Sequence, residues 1–223
     1  MIKINNLKKI YGNRTVLDIE SLEVKKGETV VIVGHNGSGK STLLKILAGV
    51  INKTSGDFSY DGVMYYLPQQ SVPFGRTVKK NILFSLRDKS DAEKRTEDIL
   101  ALFNLKNLSD KNAKSLSGGE CQRLALARVL INEADIILLD EPSSAADIEG
   151  TEIIENALTE YRKKTGCTIL MTTHSPRQAM KLADRIVILT DGKVIESGSA
   201  CELMKNPRTD WGRRFIDSWK IDI

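Results

Sequence analysis

The sequence predicts an α/β fold with a mainly parallel core sheet, an N-terminal antiparallel β subdomain and an inserted helical subdomain. Short apolar, β-branched runs at residues 29–33 and 168–173 have the composition of strands buried on both faces. Amphipathic helix patterns follow such runs. Residues 72–114 instead combine many charges with helical apolar spacing, which indicates a helical insertion in the βα core. We expect a single domain over residues 1–223.

Composition narrows the class of protein. The 223 residues are enough for one domain with a sizeable core, and 41% hydrophobic with 28% charged residues is typical of a globular protein. The net charge of +4 comes without a Lys/Arg tract or an aromatic–basic stripe, so we expect no nucleic-acid partner. Three cysteines without framework spacing indicate a reducing compartment. No apolar stretch is long enough to predict a membrane span.

The N-terminal third predicts strands joined by turns. Residues 1–33 suggest short strands with turns at 11–13 and 26–28, and residues 54–69 suggest another strand pair. The second strand of that pair ends at Pro68, and Gln69 follows directly. A glutamine at a strand end can place its amide near a metal or a water, although loop glutamines are usually only solvated.

Residues 34–42 are the stretch that indicates chemistry. They fit the pattern of a glycine, any four residues, then Gly-Lys-Ser/Thr, between a predicted strand and a helix that stops near Gly49. Such a loop turns backbone N–H groups towards phosphates. Lys40 can reach the β- and γ-phosphates, Ser41 can bind Mg²⁺, and Thr42 can reach the α-phosphate side. The predicted binding residues here are Gly34, Asn36, Gly37, Ser38, Gly39, Lys40, Ser41 and Thr42.

A second glycine-rich helix start lies at residues 116–120. Ser117 and Glu120 have capping-box spacing, so the start of this helix is well specified. Gly118 and Gly119 would expose N–H groups at the helix N-terminus, which makes a second potential anion site. The same residues are also compatible with a glycine-rich cap that holds no ligand.

Polar side chains follow two further predicted strands. Asp140 and Glu141 come directly after the strand at residues 136–139, and His174 follows the strand at residues 168–173. Ligands of open α/β sheets bind at the carboxyl ends of the strands. Asp140 can hold the Mg²⁺ hydration shell and Glu141 can polarise a water, or both can be solvated acids. A lone histidine is more often structural, so His174 is undecided by itself.

The C-terminal part predicts regular elements. Residues 149–164 form an amphipathic helix, and Ser175 begins another helix with Pro176 at its first position and Gln178 as box partner. A strand at 185–189 turns at 191–192 into residues 193–196. A final amphipathic helix carries Trp211, Phe215 and Trp219, which pack on the core or on a partner.

Taken in order, these motifs resemble the nucleotide-binding subunit of an ATP-binding cassette (ABC) transporter over essentially the whole chain. Residues 34–42 are similar to the Walker A loop, 116–120 with Gln122 and Arg123 to the family signature, and 136–141 to Walker B. Residues 144–147 are similar to the D-loop, Gln69 to the Q-loop glutamine and His174 to the switch histidine. Tyr11 matches the aromatic that stacks on adenine, although the residues alone favour a surface or packing tyrosine.

The resemblance implies an ATPase that uses ATP and Mg²⁺. Two copies would face each other head to tail around two ATP molecules, as a homodimer or a paired cassette. The first copy would supply the catalytic residues Lys40, Gln69, Glu141 and His174 and the metal-binding residues Ser41, Gln69 and Asp140, and the other copy would supply Ser117, Gly118 and Gly119. The implied partners are integral membrane permease subunits and a substrate-binding protein, which places the chain peripherally on the cytoplasmic face of the cell membrane.

The family likeness favours import through a separate permease. Residues 179–184 and the tail through Phe215 and Ile216 are similar to oxyanion importers of the tungstate or molybdate type. The alternative is an ATP-driven non-transport partner of a membrane complex, of the cell-division or lipoprotein-release type. DNA-repair or ribosome-bound relatives would have a long coiled coil or two tandem cassettes, and a kinase would not need residues 116–120. We expect no regulatory domain after residue 223.

Overall fold

The computed structural model describes residues 1–88 and 90–219. The side chains of Met204, Trp211, Phe215, Ser218 and Trp219 lie outside this description, so the packing prediction for the three aromatic residues is not addressed by it. The strands are β1 (Ile2–Tyr11), β2 (Arg14–Val24), β3 (Thr29–Val33), β4 (Ser55–Tyr60), β5 (Met64–Leu67), β6 (Ile136–Asp140), β7 (Thr168–Thr172), β8 (Arg185–Thr190) and β9 (Lys193–Ser199). The helices are α1 (Lys40–Leu47), α2 (Val78–Ser85), α3 (Ala92–Leu102), α4 (Gly118–Leu130), α5 (Ile148–Thr165), α6 (Pro176–Leu182), α7 (Ala200–Lys205) and α8 (Asp210–Trp219).

The core is a mainly parallel sheet, as predicted. Among the described residues it has six strands in the order β5-β6-β7-β3-β8-β9, of which only the β8–β9 pair is antiparallel. All residues of β3, β6 and β7 are buried because both faces of the sheet are covered. Alternate residues therefore enter two cores: Val31 lies in the core that includes α4 and α5, and Val30 lies in the core that includes α1.

The N-terminal antiparallel sheet has the order β2-β1-β4. The prediction of short strands was wrong here, since β1 has 10 residues and β2 has 11. These strands are long because β1 pairs with both neighbours and buries Ile2, Ile4 and Leu7 on one face. The predicted turn is at Gly12 and Asn13, where β1 folds back into β2.

The strand pair predicted at residues 54–69 was also wrong in its pairing. Both strands exist, but β4 pairs with β1, whereas β5 joins the core sheet parallel to β6. The chain crosses between the sheets at Gly62 and Val63, and the Val63 N–H donates to Oδ2 of Asp135 at 2.8 Å. A Cβ on Gly62 would overlap the Asp135 carboxylate, so a glycine is needed for the backbone to pass this close to the residue before β6.

The insertion at residues 72–114 contains α2, α3 and two short 3₁₀ turns, Lys106–Leu108 and Ala113–Ser115. Its helices are amphipathic, with Val78 and Ile82 of α2 and Leu100 of α3 buried in the same core as α4. Thr77 caps α2 by accepting from the Lys80 N–H. The helical prediction for this segment is confirmed.

Helix ends follow the predicted caps with one exception. Ser117 and Glu120 form the complete capping box of α4, and Gly49 has the left-handed φ of 70° expected after α1. Ser175 caps α6, but Gln178 does not close the predicted box. Its side chain is fully buried, and its amide instead donates to the Ser143 hydroxyl at 2.9 Å.

The chain ends in a β hairpin and two helices. The hairpin turn is at Asp191 and Gly192, as predicted, with φ of 48° and 77°, and β9 continues to Ser199. In α8, Ile216 is buried and Arg213 and Arg214 are exposed, so the helix is amphipathic. Within residues 1–88 and 90–219, no helix is both long enough and apolar enough to cross a membrane.

Candidate nucleotide-binding and catalytic site

The loop between β3 and α1 is tightly constrained. Lys40 is buried, and its Nζ donates to the carbonyl oxygens of Gly34 at 2.8 Å and His35 at 3.0 Å. Burial lowers the pKa of Lys40, and the nearby carboxylates of Glu141 and Asp140 partly oppose that shift. Position 34 has no room for a side chain, because a Cβ there would overlap the Leu189 carbonyl oxygen. The loop therefore presents a positive charge at the N-terminus of α1.

Asp140 is held in a buried network at the end of β6. Its Oδ1 accepts from the Ser41 hydroxyl at 2.9 Å and from the Thr172 hydroxyl at 2.8 Å. The Tyr66 hydroxyl lies 3.5 Å from Oδ2, and burial together with the Asp140 charge raises the pKa of Tyr66. Ser41 and Asp140 are 99 positions apart in the sequence, so the fold brings two of the three predicted metal-binding residues together.

Glu141 lies between two other predicted site residues. Nε2 of His174 is 2.7 Å from its Oε1, and the Gln69 amide donates to its Oε2 at 2.9 Å. The backbone of Glu141 has a φ of 51°, which is uncommon for a residue with a side chain and is frequent at functional sites. Its N–H donates to the Thr172 hydroxyl at 3.0 Å. The carboxylate is thus aimed into a cleft by fixed neighbours.

Two clefts in the described part of the chain are each lined by a pair of the predicted phosphate-binding glycines. The first, of about 380 Å³, is lined by Asn36, Gly37 and residues 39–42 together with Gln69 and Glu141, whereas Ser38 of the same loop is buried. The second, of about 330 Å³, is lined by Ser117, Gly118 and Gly119 at the start of α4 and by residues of the loop before α5. The lining residues of the two clefts do not overlap, so the second glycine-rich helix start does not complete the first cleft within one chain.

Tyr11 lies at the end of β1 and is 51% exposed. The ammonium group of Lys9 lies 4.6 Å from the centre of its ring. Arg14 and Val16 of the neighbouring strand β2 also line the first cleft, and neither was predicted as a site residue. Arg14 is exposed and cationic, and no motif in the sequence marks it as a site residue.

Three further residues support the site. Tyr66 and Thr172 were missed from sequence, and Gln122 was noted only for its resemblance to the family signature. Tyr66 and Thr172 contact Asp140, and Gln122 of α4 donates to the backbone carbonyl of Glu141 at 3.0 Å. Thr172 and Tyr66 lie inside apolar strand patterns, which gave no signal for a polar role. Gln122 is next to the glycine-rich helix start, and its spacing on one helix face was the available signal.

The fold and the cleft define a P-loop nucleotide-binding ATPase, because a Gly-rich loop with a buried lysine meets a strand-end Asp–Glu pair at one sheet edge. A family model described as ABC transporter matches residues 17–144. The chain belongs to the ABC transporter family and is an ATP-binding ATPase subunit of the type found in that family.

Known relatives and structures agree with that assignment. The chain is 39% identical over 208 residues to the tungstate uptake system ATP-binding protein TupC of Peptoclostridium acidaminophilum, covering 88% of this chain and 97% of that protein. It is 34% identical over 238 residues to the maltose/maltodextrin import ATP-binding protein MalK of Vibrio cholerae, covering 100% and 64%. It is also similar to the dimeric structure of a post-hydrolysis state of the ATP-binding cassette MJ0796 bound to ADP and Pi, with a TM-score of 0.80, 28% identity, and coverage of 90% and 99%.

Proposed function

We propose that this chain is the ATP-hydrolysing subunit of an oxyanion importer and works as a head-to-tail pair on a separate membrane permease. The observation that carries the proposal is the convergence of Lys40, Ser41 and Glu141 in one cleft, with the buried Asp140 carboxylate 2.9 Å from the Ser41 hydroxyl. That set can bind phosphates and activate a water, which are the two tasks of ATP hydrolysis.

The proposal gives a chemical task to residues in and around the first cleft. The loop N–H groups and Lys40 bind the phosphates, and Glu141 polarises the attacking water while His174 and Gln69 orient it. Mg²⁺ fits the site because the Ser41 hydroxyl and the Asp140 carboxylate are hard oxygen donors 2.9 Å apart, with the Gln69 amide at the edge of the same cleft. Bound there, Mg²⁺ supplies charge neutralisation of the phosphate oxygens.

The second cleft supports the paired arrangement. Ser117, Gly118 and Gly119 form an anion site at the start of the 13-residue helix α4, yet they line a cleft separate from the loop of residues 34–42. In a head-to-tail pair, this cleft of one copy would meet the γ-phosphate bound by the other copy. The exposed ring of Tyr11 is available to stack on adenine in this arrangement.

The permease contact is proposed at the helical insertion and the loop after Gln69. Val72, Phe74 and Phe84 are exposed there, and Phe74 and Phe84 pack edge to face with ring centres 5.1 Å apart. An exposed apolar patch of this kind is typical of an interaction site. Contact with permease subunits would hold the chain on the cytoplasmic face of the membrane, with a substrate-binding protein delivering the solute on the other side.

The solute is proposed to be an oxyanion of the tungstate type. Supporting this, the relative that is a tungstate uptake ATP-binding protein is 39% identical and is matched over 97% of its length. The relatives that act in methionine and maltose import are 32% and 34% identical.

Tungstate accumulation in the source cells tests the proposal. Replacing the wild-type chain by Lys40→Ala should lower tungstate uptake from dilute medium roughly tenfold or more, because the phosphate-binding charge is removed. Lys45→Ala, on the same helix, is the matched control and should leave uptake near normal. Unchanged tungstate uptake in the Lys40→Ala strain, with loss of another solute or of none, would refute the oxyanion assignment.

A further inference from the structure

Gln122 makes three hydrogen bonds from helix α4 to the loop that follows β6. Its Nε2 donates to the carbonyl oxygen of Glu141 at 3.0 Å and to the Ser144 hydroxyl at 3.3 Å. Its Oε1 accepts from the Ala145 N–H at 2.9 Å. The side chain is only 8% exposed, so water cannot readily replace these bonds. An amide is the side chain that can both donate and accept at this position.

One end of this contact is the proposed catalytic carboxylate. Glu141 has a left-handed backbone conformation that surrounding structure must impose on a residue with a side chain. The Thr172 hydroxyl accepts its N–H on one side, and Gln122 donates to its carbonyl on the other. With both peptide groups fixed, the carboxylate reaches Gln69 and His174.

The other end of the contact is the second cleft. The capping box of Ser117 and Glu120 makes the start of α4 rigid, and Gln122 lies within the first two turns. The loop packs directly on the glycines: a Cβ on Gly119 would lie 3.3 Å from the Cα of Ala146. A displacement of the helix start would therefore move residues 144–146, and Gln122 would carry it to Glu141.

We propose that Gln122 is a positioning residue that couples the second cleft, at Ser117, to the Glu141 carboxylate of the same chain. The inference rests on the proposed function, in which the second cleft contacts the nucleotide that the other copy binds. Occupation of one nucleotide site then fixes the general base of the other site. Gln122 itself does not contact ATP in this scheme, because its side-chain amide is hydrogen-bonded to residues 141, 144 and 145.

Two substitutions of Gln122 separate positioning from packing. Gln122→Met keeps the volume and removes all three hydrogen bonds. Gln122→Glu keeps an acceptor for the Ala145 N–H, and its ionised form loses the donor to the Glu141 carbonyl. When protonated, that glutamate regains an O–H donor. Glu160→Met replaces a polar side chain by methionine at an exposed position of α5 that lines neither cleft, and it serves as the control.

The experiment measures steady-state ATP hydrolysis and thermal unfolding of the full chain. For Gln122→Met we expect kcat to fall roughly tenfold or more, with KM for ATP within about twofold of wild type. Tm should fall by a few degrees, because the Glu141 carbonyl and the Ala145 N–H lose their buried partner, so the kinetics are measured well below Tm. For Gln122→Glu we expect kcat relative to wild type to rise as the pH falls. Glu160→Met should match the wild type.

The outcomes distinguish this inference from the proposed function. A Gln122→Met variant with normal kcat, or one whose KM for ATP rises as much as its kcat falls, overturns the coupling. So does a Gln122→Glu variant whose relative kcat does not change with pH. The proposed function is refuted if the wild-type chain does not hydrolyse ATP and the Glu141→Gln variant does not dimerise with ATP. The coupling is then refuted as well.

Discussion

Nε2 of His174 lies 2.7 Å from Oε1 of Glu141, although the two residues belong to loops after different strands. The Gln69 amide reaches the other carboxylate oxygen from a third strand end. The ends of three neighbouring parallel strands, β5, β6 and β7, thus bring three side chains together at the Glu141 carboxylate. This arrangement makes the side chain of Glu141 the sharpest target for testing the mechanism.

Glu141→Gln should lower ATP turnover about 100-fold or more while ATP binding persists. An amide keeps the shape of the carboxylate but cannot take a proton from the attacking water. Because hydrolysis would no longer separate the two copies, a dimer should accumulate with ATP. Phosphate release and light scattering on a sizing column measure the two effects. Near-normal turnover would remove Glu141 from the role of general base.

Ser117→Arg should abolish ATPase activity and leave the ATP affinity of the monomer unchanged. The second cleft is lined by Ser117 but not by the loop of residues 34–42, so a bulky cation there blocks only the nucleotide of the other copy. Binding of a fluorescent ATP analogue to dilute protein measures the monomer affinity. If that affinity were lost as well, the Ser117 loop would act within its own chain.

Gly34→Ala should destabilise the nucleotide loop and abolish ATP binding. The added Cβ would overlap the Leu189 carbonyl, and the φ of 155° disfavours any side chain, so we expect a cost of about 3 kcal/mol. Gly12→Ala is the control: it also has a positive φ, of 56°, but meets nothing within 4 Å. It should cost about 1 kcal/mol and spare ATP binding. Urea unfolding and ATP titration check both; equal losses in the two variants would contradict the steric argument.

Tyr161→Phe should destabilise the chain less at alkaline pH than near neutrality. The Tyr161 hydroxyl donates to the Asn132 carbonyl at 2.9 Å and accepts from the Ala134 N–H at 3.3 Å, so its removal costs about 1–3 kcal/mol at about pH 8. Burial, with a smaller contribution from Cys167, raises the pKa of Tyr161 to about 12.

The sign of the Tyr161 effect follows from that raised pKa. Below the unfolded tyrosine pKa of about 10 the hydroxyl contributes its full stability, and this is lost as the pH rises through the folded value. The difference between wild type and Tyr161→Phe should therefore shrink by about 1 kcal/mol between about pH 8 and pH 10.7. Urea unfolding at the two pH values measures it, and a difference that stays constant would contradict the buried, protonated hydroxyl.

Local patterns predicted what local chemistry controls. The glycine spacing before Lys40, the capping box at Ser117 and the turn at Gly192 are each decided by a few consecutive residues, and the structure has all three. The same reasoning erred where partners are distant. Residues 55–60 and 64–67 are strands, yet their pairing depends on β1 and β6, which no short segment encodes.

The sequence by itself determined the family, the phosphate-binding loop and the types of residue at each strand end, because backbone conformation and strand burial leave short-range patterns. Only the tertiary structure decided that Ser41 meets Asp140, that Gln122 holds Glu141 and that Gln178 turns from its own helix cap to Ser143. Those contacts join residues between 19 and 99 positions apart. They form because packing of the two cores fixes where each strand end lies, and a buried polar group then takes whichever partner is within reach.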